Sequence, residues 1–124
     1  MTFTIELTPR TKKNSQRIVR AKGHYIVLPS KAYAEYEKAA EKFIPKLGID
    51  YPINLKAYFY MPTRRRVDLV NLQESLCDVL VKHGCIVDDN CSIVASMDGS
   101  RVMYSKESPC TVVTIERRKE NDTM

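Results

Sequence analysis

Ile53-Asn54-Leu55-Lys56-Ala57-Tyr58-Phe59-Tyr60-Met61 alternates apolar and polar side chains, whereas Asp68-Leu69-Val70-Asn71-Leu72-Gln73-Glu74-Ser75-Leu76-Cys77-Asp78-Val79-Leu80 does not. Period two, with aromatic enrichment, is the pattern of a strand that buries one face. In the second stretch each residue advances by about 100° if it is helical. Leu69, Leu72, Leu76, Val79 and Leu80 then share one face, which must be core. The spacing predicts a helix from about Asp68 to His83, stopped by Gly84. Pro62 to Arg66 is the basic loop between strand and helix.

Working outward, Phe3-Thr4-Ile5-Glu6-Leu7 alternates and reads as a strand ended by Pro9, and Arg10 to Gln16 is a polar, basic loop. Arg17-Ile18-Val19-Arg20 and His24-Tyr25-Ile26-Val27-Leu28, separated by Ala21-Lys22-Gly23, have the form of a short hairpin. Ser30 can cap a helix in which Tyr33, Tyr36, Ala40 and Phe43 recur inward, while Glu35, Lys38, Glu41 and Lys42 face out. Pro45 and Gly48 end it. Ile93 to Met97 and Thr111 to Ile115 are two further strands, the latter expected at a sheet edge. The expected class is α+β, a single mixed β-sheet covered by two helices. The domain is expected over 1–117, with a charged, fraying tail over 118–124.

Composition narrows the function. With 44% hydrophobic and 28% charged residues, the 124-residue chain reads as a soluble globular protein rather than a disordered one. No stretch approaches the roughly 20 apolar residues of a membrane span. Met1-Thr2-Phe3-Thr4-Ile5 lacks the basic and apolar regions of a signal peptide, so the expectation is cytoplasmic. Cys77, Cys85, Cys91 and Cys110 form no C-x-x-C pair, and His24 and His83 complete no zinc pattern, so free thiols are expected. Tyr33, Tyr36 and Tyr58 are read as core.

The net charge is +5. The positives gather at Arg10-Thr11-Lys12-Lys13, Arg17, Arg20 and Lys22, then at Arg64-Arg65-Arg66, then at Arg117-Arg118-Lys119. The middle cluster runs directly into an acidic segment. On the expected helix Asn71, Glu74, Ser75, Asp78 and Lys82 share a polar face, with Asp68 at its margin. Asp78 has Lys82 at i+4, whereas Glu74 and Asp68 have no such lysine partner. Asp88 and Asp89 follow in a turn. Asp68 could be a plain N-cap, and Asp88-Asp89-Asn90 a plain polar turn. If that turn folds back beside the helix start, Asp68 and Asp89 converge, and converging carboxylates need a counter-charge to stay ionised. A hard divalent cation supplies one and keeps sites open to a phosphate. A polyanion approaching such carboxylates would need flanking cations of the kind seen here.

The basic run, Asp68-Leu69-Val70-Asn71-Leu72 and Asp88-Asp89-Asn90 together resemble the RusA family of Holliday-junction resolvases. Pro9-Arg10-Thr11-Lys12-Lys13-Asn14 and Pro29-Ser30-Lys31-Ala32-Tyr33 are similar to that family as well, so the resemblance covers nearly the whole chain. It implies a homodimeric, Mg²⁺-dependent endodeoxyribonuclease acting on four-way junctions, with Mn²⁺ as the alternative metal. The rival readings are a catalytically impaired branched-DNA-binding protein of the same fold and a flap or fork nuclease. Carried over residue by residue, Asp68 and Asp89 would be catalytic, and Glu74 joins them as a compensating acid rather than as a motif match. Asp68, Asp89, Asp88 and Asp78 would hold the metal, with Asn71 in support. Lys12, Lys13, Arg64, Arg65 and Arg66 would grip DNA. Two departures stand out: Val70 replaces the family's second aspartate, and Glu74 replaces a lysine often found one turn later. Glu74 or Asp78 is expected to supply the missing oxygen.

Overall fold

The computed structural model describes residues 1–12 and 16–118. Its strands are β1 (Thr2–Ile5), β2 (Gln16–Ala21), β3 (His24–Pro29), β4 (Ile53–Met61), β5 (Val94–Ser96), β6 (Arg101–Tyr104) and β7 (Cys110–Arg117). The helices are α1 (Lys31–Ala40), continued by a 3₁₀ turn at Glu41–Phe43, and α2 (Leu69–Lys82). Among the described residues β2 and β3 pair only with each other, as the expected hairpin. The other five strands form one sheet in the order β1-β7-β4-β5, with β6 also on β4. The sheet is mixed: β7 is antiparallel to both β1 and β4, whereas β5 and β6 run parallel to β4. The α+β expectation therefore holds.

Two strand readings are corrected. The stretch Thr111 to Ile115 was expected at an edge, but β7 lies inside the sheet, paired on both sides. Its alternation buries Thr111, Val113 and Ile115 on one face only, so pattern alone gives no clue to what lies beside it. β6 was missed because all four of its residues are exposed, leaving no alternating burial to read. Glu116 and Arg117 extend β7, and Arg118 donates to the Pro52 carbonyl at 2.9 Å and to Ser96 Oγ at 2.9 Å. The remainder of the expected tail lies outside the described residues.

The inward face of the sheet (Ile5, Ile53, Leu55, Ala57, Phe59, Val113, Ile115) joins Tyr33, Tyr36 and Ala40 of α1 and Leu72, Leu76, Val79 and Leu80 of α2 in one core. Ser30 caps α1 by accepting from the Tyr33 N–H at 3.1 Å, and Asp68 caps α2. Gly84 ends α2 with φ 80°, a left-handed conformation that glycine adopts without strain. Tyr33 and Tyr36 are core as expected, but Tyr58 is not. It stands on the outward face of β4, half-buried between Lys56 and Arg101, whose charged ends lie 5.4 and 5.8 Å from its ring. Ser75, assigned to the polar face of α2, is buried instead, with its hydroxyl towards that of Tyr33 on α1. All four cysteines are free thiols, with Cys77 and Cys85 buried. No helix among the described residues is long and apolar enough to cross a membrane.

Candidate active site

Asp68 stands where the basic loop becomes α2. Its Oδ1 accepts from the Val70 N–H at 2.9 Å, satisfying one of the donors that a helix start leaves without a partner. The N-cap reading of Asp68 is therefore true, and it leaves the residue exposed with its second oxygen outside that bond. Immediately upstream Arg64, Arg65 and Arg66 are all exposed. The Arg64 guanidinium lies 4.4 Å from the centre of the Tyr104 ring, a cation–π contact that ties the loop to β6. Arg65 donates its backbone N–H to Thr63 Oγ1 at 3.3 Å.

Further along the helix, Asp78 is the electrostatic centre of the acidic face. Burial pushes its carboxyl above the ordinary range; Lys12 opposes this, and Asp89, Glu37 and Glu74 reinforce it. The Lys12 ammonium lies 3.9 Å from Asp78 Oδ2. Lys82, the i+4 partner read from the sequence, turns away to Glu37 of α1 instead. Cys77 registers the same carboxylates: burial pushes its thiol up to about 12, and Asp89, Asp78 and Glu74 add to that. Glu74, Asp78 and Asp89 thus act on one stretch of α2, although they come from a helix and a distant turn.

The turn resolves into two functions. Asp88 Oδ1 accepts from the Asp89 N–H at 2.6 Å, and Asn90 Oδ1 accepts from the Ser92 N–H at 2.9 Å. The Asn90 carbonyl accepts from Ile93 and Val94. These are the local bonds for which Asp and Asn are favoured in turns, and they engage Asp88 and Asn90 while leaving the Asp89 carboxylate outside them. Among the described residues no three of the His, Cys, Asp and Glu side chains lie close enough to hold a metal ion together. Asp68, Asp78, Asp88 and Asp89 are therefore not gathered into a closed cage. Asn71 is half-buried on α2, and Lys13 lies outside the described residues.

The sequence reading missed Glu37. Its position four residues beyond Tyr33 was the available signal, since the buried Tyr33 turns its hydroxyl towards Ser75 of α2. Its carbonyl meets His83 Nε2 at 2.7 Å, so its part is to clamp α1 to α2 as well as to shape the field at Asp78.

A mixed sheet backed by two helices, with a basic loop leading into a carboxylate-bearing helix, defines a small α+β domain that sets cations beside carboxylates on its surface. The family model described as endodeoxyribonuclease RusA matches residues 6–116, and the chain belongs to that family. It is 32% identical over 79 residues to the crossover junction endodeoxyribonuclease RusA of Aquifex aeolicus, a match covering 61% of this chain and 63% of that protein. The chain thus spans slightly less than two thirds of that relative's length.

Proposed function

We propose that this chain is a divalent-metal-dependent endodeoxyribonuclease that resolves four-way DNA junctions as a cytoplasmic homodimer. The observation that carries the reading is the family match over residues 6–116, which includes the basic loops, Asp68 and the acidic turn alike. The Aquifex aeolicus relative is named for its substrate class, a crossover junction. Two-fold symmetry in a dimer would set one site over each of two opposed strands, the arrangement that paired nicks require.

The residues fit Mg²⁺ or Mn²⁺ by their chemistry. Asp89, Glu37 and Glu74 add their carboxylates to the field at Asp78, where burial is the main cause of its raised carboxyl and Lys12 opposes it, so hard oxygen donors are at hand on this face. Mg²⁺ is commonly held by one or two carboxylates, with waters and substrate phosphates completing its shell, so an open set suits it. Asp68 and Asp89 are the first ligands in this reading, with Asp78, Asp88 and Glu74 as the remaining oxygen donors and Asn71 orienting the start of the helix. When bound, the ion supplies the Lewis acidity that activates water and steadies charge on the leaving oxygen. Lys12, Lys13, Arg64, Arg65 and Arg66 hold phosphates and fix the register of the DNA without reading its bases.

A second reading has its own observation. Val70, at the position of the family's second aspartate, is 58% exposed, so an oxygen ligand is absent there and an apolar side chain faces solvent. On that reading the chain binds branched DNA without cutting it. Incubating the purified protein with a synthetic four-way junction, with Mg²⁺ and with a chelator, separates the two. Paired, metal-dependent nicks are expected. Tight junction binding with no cutting in Mg²⁺ or Mn²⁺ would establish the binding-only protein, and cutting confined to flaps or forks would move the substrate.

A further inference from the structure

From Leu7 to Ala34 the chain carries no Asp or Glu, yet it holds seven of the twenty Lys and Arg residues and one of the two histidines. The rest of the chain has thirteen basic residues against fifteen acidic ones, so the net positive charge of the protein resides wholly in this one segment. Half of it is the β2–β3 hairpin, a two-stranded sheet separate from the five-stranded one, which carries Arg17, Arg20 and Lys22. At its tip Lys22 (φ 50°) and Gly23 (φ 79°) are both left-handed, the geometry of the tight turn that suits the twist of a two-residue hairpin.

Just behind the tip stands Tyr25. It is 74% exposed. It pairs in register with Arg20, so the two share one face of the hairpin; Arg20, Lys22 and His24 are exposed too. A single exposed tyrosine on a mixed surface needs no explanation. A ring on a separate hairpin, in a segment with cations and no carboxylate, is a different matter. That combination suits an anionic partner offering flat, unpaired aromatic faces, namely nucleic-acid bases freed from a duplex. Paired bases in a linear duplex are stacked on each other and offer no such face.

We infer that the β2–β3 hairpin is a branch-point reader: Arg20 and Lys22 hold the backbone while the Tyr25 ring stacks on a base unstacked at the junction. The inference deepens the proposed function and rests on its branched-DNA reading. It assigns selectivity for branches to an element distinct from the carboxylates of α2.

The test is equilibrium binding in chelator, so that no outcome depends on cutting. A four-way junction and a linear duplex of the same arm sequence are compared for wild type, Tyr25→Ala and Tyr25→Phe. Tyr25→Ala is expected to weaken junction binding about tenfold or more while leaving duplex binding within twofold, in keeping with loss of one base stack. Tyr25→Phe, which keeps the ring, is expected to restore it. If wild type itself binds junction and duplex equally, the branched-DNA reading falls. If wild type prefers the junction and Tyr25→Ala keeps that preference, the hairpin inference alone falls. Equal losses on both DNAs would make the hairpin a plain phosphate grip and overturn base stacking.

Discussion

At the scale of the residue, Asp68 separates two roles that usually travel together. As a cap it needs a short side-chain acceptor for the Val70 N–H, and asparagine serves there as well as aspartate. As a metal ligand it needs an ionised oxygen, which asparagine lacks. Asp68→Asn should therefore melt within a degree or two of wild type yet lose junction cutting, whereas Asp68→Ala should also lose about 1 kcal/mol of stability. Cutting by Asp68→Asn at the wild-type rate would remove Asp68 from the metal site. The cysteines give a second residue-level outcome. Cys85 is buried and its thiol is pushed up to about 11 by that burial, and Cys77 up to about 12. An unfolded thiol ionises near the ordinary value of 9.0. Between that value and the folded ones, only the unfolded chain has released these protons. Stability is thus unaffected by these thiols below about pH 9 and falls as pH rises beyond it. Denaturation midpoints across that window should decline for wild type and decline less for Cys85→Ala compared with its own neutral-pH value. A thiol reagent at neutral pH should meanwhile label the exposed Cys91 far faster than Cys77 or Cys85.

Among the elements, the seam of α1 and α2 carries a testable oddity. Ser75 is 2% exposed, its hydroxyl faces that of Tyr33, and neither makes a hydrogen bond of full geometry. A buried hydroxyl without a partner costs free energy, and serine is also a poorer helix former than alanine by about 0.5 kcal/mol. Ser75→Ala should accordingly raise stability by about 0.5–1.5 kcal/mol in denaturant melts; a clear loss would mean that the two hydroxyls bond each other after all. This seam also shows what the sequence could and could not disclose. The pattern in β4 and α2 was readable because each element buries one continuous face, and the caps at Ser30 and Asp68 were readable because they are local. The burial of Ser75, the redirection of Lys82 to Glu37 and the interior place of β7 depend on what packs alongside, which periodicity does not encode. For the site, Asp68 and Asp89 were visible as motif residues, whereas the meeting of Lys12 with Asp78 joins residues far apart in the chain.

Over the whole molecule, charge rather than shape orders the surface, and the arginine run in front of α2 offers the sharpest measurement of it. Arg64 is laid on Tyr104, while Arg65 and Arg66 are exposed with it beside the start of the acidic helix. If they hold phosphates flanking the one to be cut, each contact displaces condensed counterions from the DNA. The logarithm of affinity then falls linearly with the logarithm of salt, with a slope near 0.9 per phosphate neutralised. Replacing all three with alanine should weaken junction binding most at low salt and flatten that slope by about 2.7. The loss should be alike for junctions of different sequence, because backbone contacts carry no base identity. Were the run present only to balance Asp68 and its neighbours, the triple variant would keep the wild-type slope. The phosphate grip would then belong to the acid-free segment that bears Lys12, Arg20 and Lys22.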